Sequence, residues 1–210
     1  MKKYIFLVFL FFLATFHSIG QTEFQPNGSF KVEIGLPNIA TNAAYKDLMQ
    51  GLVVVTPSYQ HTFDNTFSIG AGLRYSYFNV NEFKNNANIS GGMHMAGAFG
   101  KIGIEKFYGN FGVDYGVRIG YTMNVSSTNA IIEENGDPYV FDGGFVEPTL
   151  GLALMADEKS SFRFAVGYAF HGFVYQPHHI GLDEFSGMND DNLDVISTYF
   201  TVGFGYSYYF

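Results

Sequence analysis

The stretch that decides the fold is Ile196 to Phe210, ISTYFTVGFGYSYYF. Every second residue from Ile196 is apolar, aromatic or Thr: Ile196, Thr198, Phe200, Val202, Phe204, Tyr206, Tyr208 and Phe210. Ser197, Tyr199, Thr201, Gly203, Gly205, Ser207 and Tyr209 fall between them. Alternation of this length predicts one strand with a greasy face and a small or polar face. It is long for a strand of a soluble protein.

The same pattern recurs upstream. Ser29 to Leu36 places Phe30, Val32, Ile34 and Leu36 on one side and Lys31, Glu33 and Gly35 on the other. Gly51 to Phe63 reads as a second strand with Val53, Val55, Pro57 and Tyr59 outward, although Pro57 gives no ladder hydrogen bond. Phe67 to Val80 and Phe111 to Met123 are the clearest, with Arg74 and Arg118 on their small-residue faces. In Gly91 to Glu105, Ile102 and Ile104 fit one frame and Met93, Met95 and Phe99 the other, which predicts a bulge near Gly100. Phe145 to Met155 and Phe162 to Val174 complete the set, with Glu147 and Arg163 inward. Pro37 to Gln50, Asn81 to Ser90, Asn124 to Asp142 and Gln176 to Asn192 read as long loops alternating with tight turns. The expected fold is all-β: an eight-stranded antiparallel up-and-down transmembrane β-barrel over residues 21–210.

Bulk composition agrees. The chain has 210 residues, a formal charge of −8, no Cys, no Trp, 24 Phe, 15 Tyr and 25 Gly, with a mean hydropathy of +0.06. That is greasy, yet after the leader nothing reaches the 18 consecutive apolar residues of a spanning helix. Residues 1–20 read as a secretory signal peptide, with Lys2 and Lys3 ahead of an apolar run and small residues before Gln21. Sec export and cleavage after Gly20 are the expectation, and loss of the two lysines takes the charge to −10. No Cys follows the apolar run, so a lipoprotein anchor is excluded.

Two strands measure a membrane. Phe67 and Tyr77, and Phe111 and Tyr121, bound their greasy faces ten residues apart. At about 3.3 Å per residue and a tilt near 40°, that is a rise of about 25 Å, the height of a lipid-facing band. Phe30, Phe67, Phe111 and Phe162 open the odd strands, and with Tyr208 and Phe210 they read as a periplasmic aromatic girdle. Tyr75, Tyr77, Tyr121 and Phe170 read as the outer one. A soluble lipocalin-like barrel would invert the alternation, enclosing its greasy face. Here the inward set is Gly, Ser, Thr and charges.

Those inward charges are Lys31, Arg74, Lys101, Arg118 and Arg163 against Glu33, Glu105, Asp114 and Glu147. An eight-stranded barrel is just wide enough for side chains to fill, and an unpaired charge there is costly. A paired network plugging the lumen is therefore expected, with a narrow ion or proton path as the sharper alternative. Arg74 and Arg118 each lie seven residues after the first Phe of their strand and should share a depth.

The loops 124–142 and 176–194 hold Glu133, Glu134, Asp137, Asp142, Asp183, Glu184, Asp190, Asp191 and Asp194 and no Lys or Arg. They predict an acidic outer crown, read either as a solvated face or as hard oxygen ligands for Ca²⁺ or Mg²⁺ bridging to lipopolysaccharide phosphates. His178 and His179 beside Asp183 and Glu184 are the one arrangement suggesting a transition metal, and adjacent histidines in a loop are weak support. No cofactor or dedicated metal site is expected. His61, His94 and His171 stand singly on strands and read as structural. No HExxH, P-loop or G-x-S-x-G is present, so an enzyme is not expected, and the acidic charge without a basic patch argues against nucleic acid.

The whole stretch after the leader resembles the small eight-stranded outer-membrane proteins of the OmpA/OmpX-like superfamily. The Gln21-Thr22 start, the Tyr/Phe-rich strands and the final Ser207-Tyr208-Tyr209-Phe210 look most like the Bacteroidetes versions, called outer membrane protein beta-barrel domain or PorT-like. The resemblance implies a place in the outer membrane and assembly-machinery recognition of the closing strand through Phe204, Tyr206, Tyr208 and Phe210. It carries no catalytic residue across. Three roles stay open: a structural or surface-interaction barrel, passage of small or hydrophobic molecules through a lateral gap at Pro57 or Pro148, and an accessory part of a secretion system.

Overall fold

The backbone of a strand in lipid must find all its hydrogen bonds within the protein, so a sheet of such strands has to close on itself. The computed structural model, which describes residues 26–82, 88–182 and 195–210, shows that closure. Eight antiparallel strands follow one another around a barrel in sequence order, and the eighth pairs with the first. They are β1 (Gly28–Ile39), β2 (Met49–Thr62), β3 (Phe67–Val80), β4 (Gly91–Tyr108), β5 (Phe111–Thr128), β6 (Tyr139–Met155), β7 (Ser160–His171) and β8 (Thr198–Tyr209). The β1–β8 seam runs from Ser29 opposite Tyr209 to Ile39 opposite Tyr199. Below it, Gly28 and Phe210 exchange both backbone hydrogen bonds, at 3.0 and 3.1 Å. The leader and the acidic residues Asp183, Glu184, Asp190, Asp191 and Asp194 lie outside the described residues.

The alternation sorts as expected in β3: Phe67, Ile69, Leu73 and Tyr75 are exposed while Ser68, Arg74 and Ser76 are buried. On all eight strands the outward positions form an apolar belt whose charged members are Lys106, near the tight turn between β4 and β5, and Asp142, near the opposite rim. Both aromatic girdles stand outward, with Phe162 63% and Tyr121 56% exposed. The outer one has polar handles: Tyr75 shares a 2.8 Å hydrogen bond with His94 Nδ1.

Pro57 and Pro148 do not open the wall. Ladder pairs lapse beside Pro57 on its β3 side and beside Pro148 on its β7 side, and the register is the same on either side of each lapse.

Five expectations need correction. β1 does not stop at Leu36 but runs through Pro37 to Ile39, because Pro37 and its neighbours still pair with β8. The segment read as a loop from Pro37 to Gln50 contains helix α1, Ala43–Leu48. The loop read over Asn124 to Asp142 is mostly regular: β5 continues to Thr128, helix α2 covers Asn129–Asn135, and β6 starts at Tyr139. The frame conflict in β4 is not a bulge. Its pairing with β3 and β5 is unbroken, and Met93, Met95 and Phe99 point inward and are buried. Finally β7 ends at His171, not Val174, and β8 begins at Thr198. The register irregularity in the barrel lies instead in β2, between Gly51 and Val53.

Candidate functional site

The lumen is filled in two layers. The layer nearer the chain termini follows from strand direction: a charge on the small-residue face has nowhere to go but inward. All nine side chains named above, Lys31, Glu33, Arg74, Lys101, Glu105, Asp114, Arg118, Glu147 and Arg163, are buried there. Register alone would make trouble. Glu105 lies directly across from Asp114, and Lys101 directly across from Arg118; like charges facing each other on neighbouring strands repel.

The repulsion is resolved from the opposite wall. Lys31 Nζ donates to Glu105 Oε1 at 2.7 Å and to Asp114 Oδ2 at 2.9 Å. Lys101 turns away from Arg118 to donate to Asp114 at 2.6 Å and to Gln60 Oε1 at 2.9 Å. Arg163 adds a third cation on Asp114 at 2.7 Å. Gln60 and Thr62 complete the Glu105 carboxylate at 2.8 and 3.0 Å.

Higher up, Arg118 reaches across to Glu33 and also contacts Glu147 at 3.3 Å. Arg74 donates to the same Glu147 Oε2 at 2.6 Å and through Nε to the Tyr199 hydroxyl at 3.1 Å. Arg74 and Arg118 thus share a carboxylate oxygen, Glu147 Oε2. Arg163 Nε, 3.4 Å from Glu33 Oε1, joins the two groups of ions into one network.

The second layer is aromatic, and the sequence reading did not foresee it. Tyr45 of α1, Phe78, Tyr199, His171, Phe173, Phe141, His179 and Tyr175 form a circuit of ring contacts with centroids 4.3 to 5.4 Å apart. Met93, Met95, Val54 and Leu48 fill beneath and between. Arg74 lies 5.2 Å from the Phe145 ring and 5.3 Å from the Tyr199 ring, so a cation–π contact joins the layers. The inward set is therefore not all small and polar; in its outer half it is a hydrophobic core.

Single polar residues hold this lid. Asn42, in the left-handed region with φ 66°, caps α1 by accepting the Tyr45 N–H at 3.0 Å. Its Nδ2 donates to the carbonyls of Tyr175 at 2.9 Å and Val195 at 3.0 Å. Thr128 Oγ1 accepts the Ile131 N–H to cap α2 and donates to the Ile180 carbonyl, fixing the 3₁₀ turn Pro177–Ile180 at 2.9 Å. A six-residue helix is marginal alone; buried Ala44, Tyr45 and Leu48 give it a reason to form.

Among the described residues the loop histidines are not gathered into a metal site, and Asp183 and Glu184, read beside them, lie outside the described residues. His179 Nδ1 accepts the Gln176 N–H at 3.1 Å, and its ring stacks on Phe141 at 4.3 Å. Burial, then the neighbouring His178, pushes its pKa down to about 4. Among the described residues no three His, Asp or Glu side chains converge as metal ligands do. Glu133, Glu134 and Asp137 stand exposed around α2, and Asp142 faces Tyr121 at the rim. At the other end, Phe204, Tyr206, Tyr208 and Phe210 all face outward, and the Phe210 ring stacks on Tyr59 at 6.1 Å.

No protein-family model matches the chain, and no curated protein matches it in sequence. Solved structures match it in shape. Neisserial surface protein A superposes with a TM-score of 0.54 at 7% identity, over 88% of this chain and 97% of that one. The outer membrane protein OprG of Pseudomonas aeruginosa gives 0.51 at 13% identity, over 89% and 98%. At these identities the likeness is one of fold: this chain has the architecture of the small eight-stranded outer-membrane barrels.

Proposed function

We propose that the protein is a non-conducting, non-enzymatic barrel of the outer membrane that serves as a rigid surface platform. One observation supports this most: among the described residues the lumen is filled by paired ions in one half and by interlocked rings in the other. What the fold does offer is height. β4 and β5 have 18 residues and β6 has 17, against 12 each in β1, β7 and β8. At about 3.3 Å per residue the difference is roughly 17–20 Å of extra strand. The tall side carries α2, whose Glu133 and Glu134 face solvent with Asp137 beside them. A partner suited to it presents a basic surface, or is bridged by divalent cations as lipopolysaccharide phosphates would be. Export by a cleaved leader and assembly through the aromatic closing strand belong to the same reading.

The test has two arms. Proteoliposomes carrying the protein should adhere to a polylysine-coated surface more than empty ones, and a Glu133→Lys, Glu134→Lys, Asp137→Lys triple variant should lose the difference. The same protein in planar bilayers should give no channels. Reproducible conductance, or adhesion unaffected by charge reversal, would sink the proposal.

A further inference from the structure

The nine buried lumen charges are unequal: five cations face four carboxylates. An excess positive charge sealed away from water is expensive unless a counter-ion meets it. Beside the network lies a cavity of about 20 Å³ lined by Arg118, Arg163, Lys101, Thr201, Glu33 and Glu147. Such a volume accommodates one water-sized body. Both carboxylates on its wall are already engaged by arginine. Four donors on its lining residues have no hydrogen-bond partner among the described residues: Arg118 Nε, Arg163 Nε, Arg163 Nη1 and the Thr201 hydroxyl, and Arg163 Nε has only a 3.4 Å ionic contact to Glu33. Arg163 Nη1 has only a 3.6 Å ionic contact to Glu105.

We propose that this cavity binds one small monovalent anion, a halide such as chloride, which cancels the excess charge and satisfies these donors. Guanidinium N–H groups from two arginines and a hydroxyl suit a sphere that accepts from any direction. A multiatomic anion is too large for the volume. Because the ring layer covers one end and the Lys31 layer the other, the ion is taken up as the barrel closes, not through a standing pore.

The full chain is refolded into detergent with bromide replacing chloride, and anomalous diffraction at the bromine edge locates the halide. One peak in the cavity is expected, and Thr201→Val, which removes a donor and keeps the shape, should weaken it. In parallel, the unfolding temperature is compared in chloride and in gluconate at equal ionic strength. Wild type should be a few degrees more stable in chloride. Lys101→Met, which balances four against four, should lose that difference. No bromide peak, equal stability of wild type in both salts, or a chloride effect that survives Lys101→Met would overturn the proposal and mean that the excess proton is shed or water alone fills the site.

Discussion

Lys31 on β1 and Asp114 on β5 belong to strands diametrically opposite in the eight-stranded ring, and their side chains meet at 2.9 Å. Two residues on, Glu33 meets Arg118 of the same opposite strand. These two contacts are struts across the cylinder. The backbone ladders fix the circumference, and the struts fix the cross-section.

Lys31→Met should therefore be among the costliest substitutions in the wall. It takes the shortest ionic contact from Glu105, which keeps only Arg163 at 3.6 Å, while Asp114 keeps Lys101 and Arg163. Removing one partner of a buried ion network costs about 3–5 kcal/mol. The unfolding midpoint in detergent should fall accordingly, and adding Glu105→Gln should restore part of it. A variant as stable as wild type would show that the strut carries no energy.

Arg118→Ala should lower the unfolding temperature, by about 3 kcal/mol equivalent, and yet open no channel. Glu33 keeps Arg163 and Glu147 keeps Arg74, and the ring layer above does not depend on Arg118. Steady current across a planar bilayer from this variant would show that the ion layer, not the rings, seals the barrel.

Asn42→Ala should loosen the mouth selectively. It removes the α1 cap and two bonds to the β7–β8 segment, and it puts a residue that dislikes the left-handed region at φ 66°. Losing such a cap costs about 1–2 kcal/mol. Amide exchange should quicken at Tyr45 and Lys46 while the strand core stays protected. Uniform loss of protection throughout would refute a local role.

The His179 turn should respond to acid. Its folded pKa lies near 4, below the value of about 6.5 for a free imidazole. The folded state thus binds the proton less well than the unfolded one. Its stabilising contribution is whole above about pH 6.5 and declines as the pH falls towards 4. Protonation also takes the Nδ1 lone pair that receives the Gln176 N–H. Among the described residues the titratable groups against the ring are His178, Tyr139 and Tyr175. Exchange protection at Gln176, corrected for intrinsic rate, should fall between pH 7 and 4.5, and His179→Phe should flatten that dependence.

Phe210→Ala should separate assembly from stability. The side chain faces outward and touches mainly Tyr59 and Tyr208, so the refolded protein should keep its midpoint within about 1 kcal/mol. In cells the amount of folded barrel in the outer membrane should drop several-fold. An unchanged cellular yield would remove the expected assembly role of this residue.

What was legible in the sequence follows from how the wall is solvated. Where lipid lies on one side and ions on the other, side-chain alternation is sharp: β3 could be read to the residue and β5 as far as Met123. The charges could be placed inside because a strand has only two faces and lipid occupies one. In the outer half of the barrel that contrast vanishes. Met93, Met95, Phe99 and Phe145 are apolar and inward, next to outward residues that are apolar as well, so the period of two disappears and β4 looked broken. Helix α1 is too short for a helical period to show. Its best signal was Asn42 three residues before Tyr45, a cap readable only once one suspects a helix.

The seam between β1 and β8 has a consequence for timing. Residues 28 and 210 meet there, so the ring is finished only when the eighth strand arrives. Until then both edges of the sheet are open and every greasy face lacks a solvent. Such long-range closure is slow, and an open sheet edge is meanwhile a template for pairing with another chain.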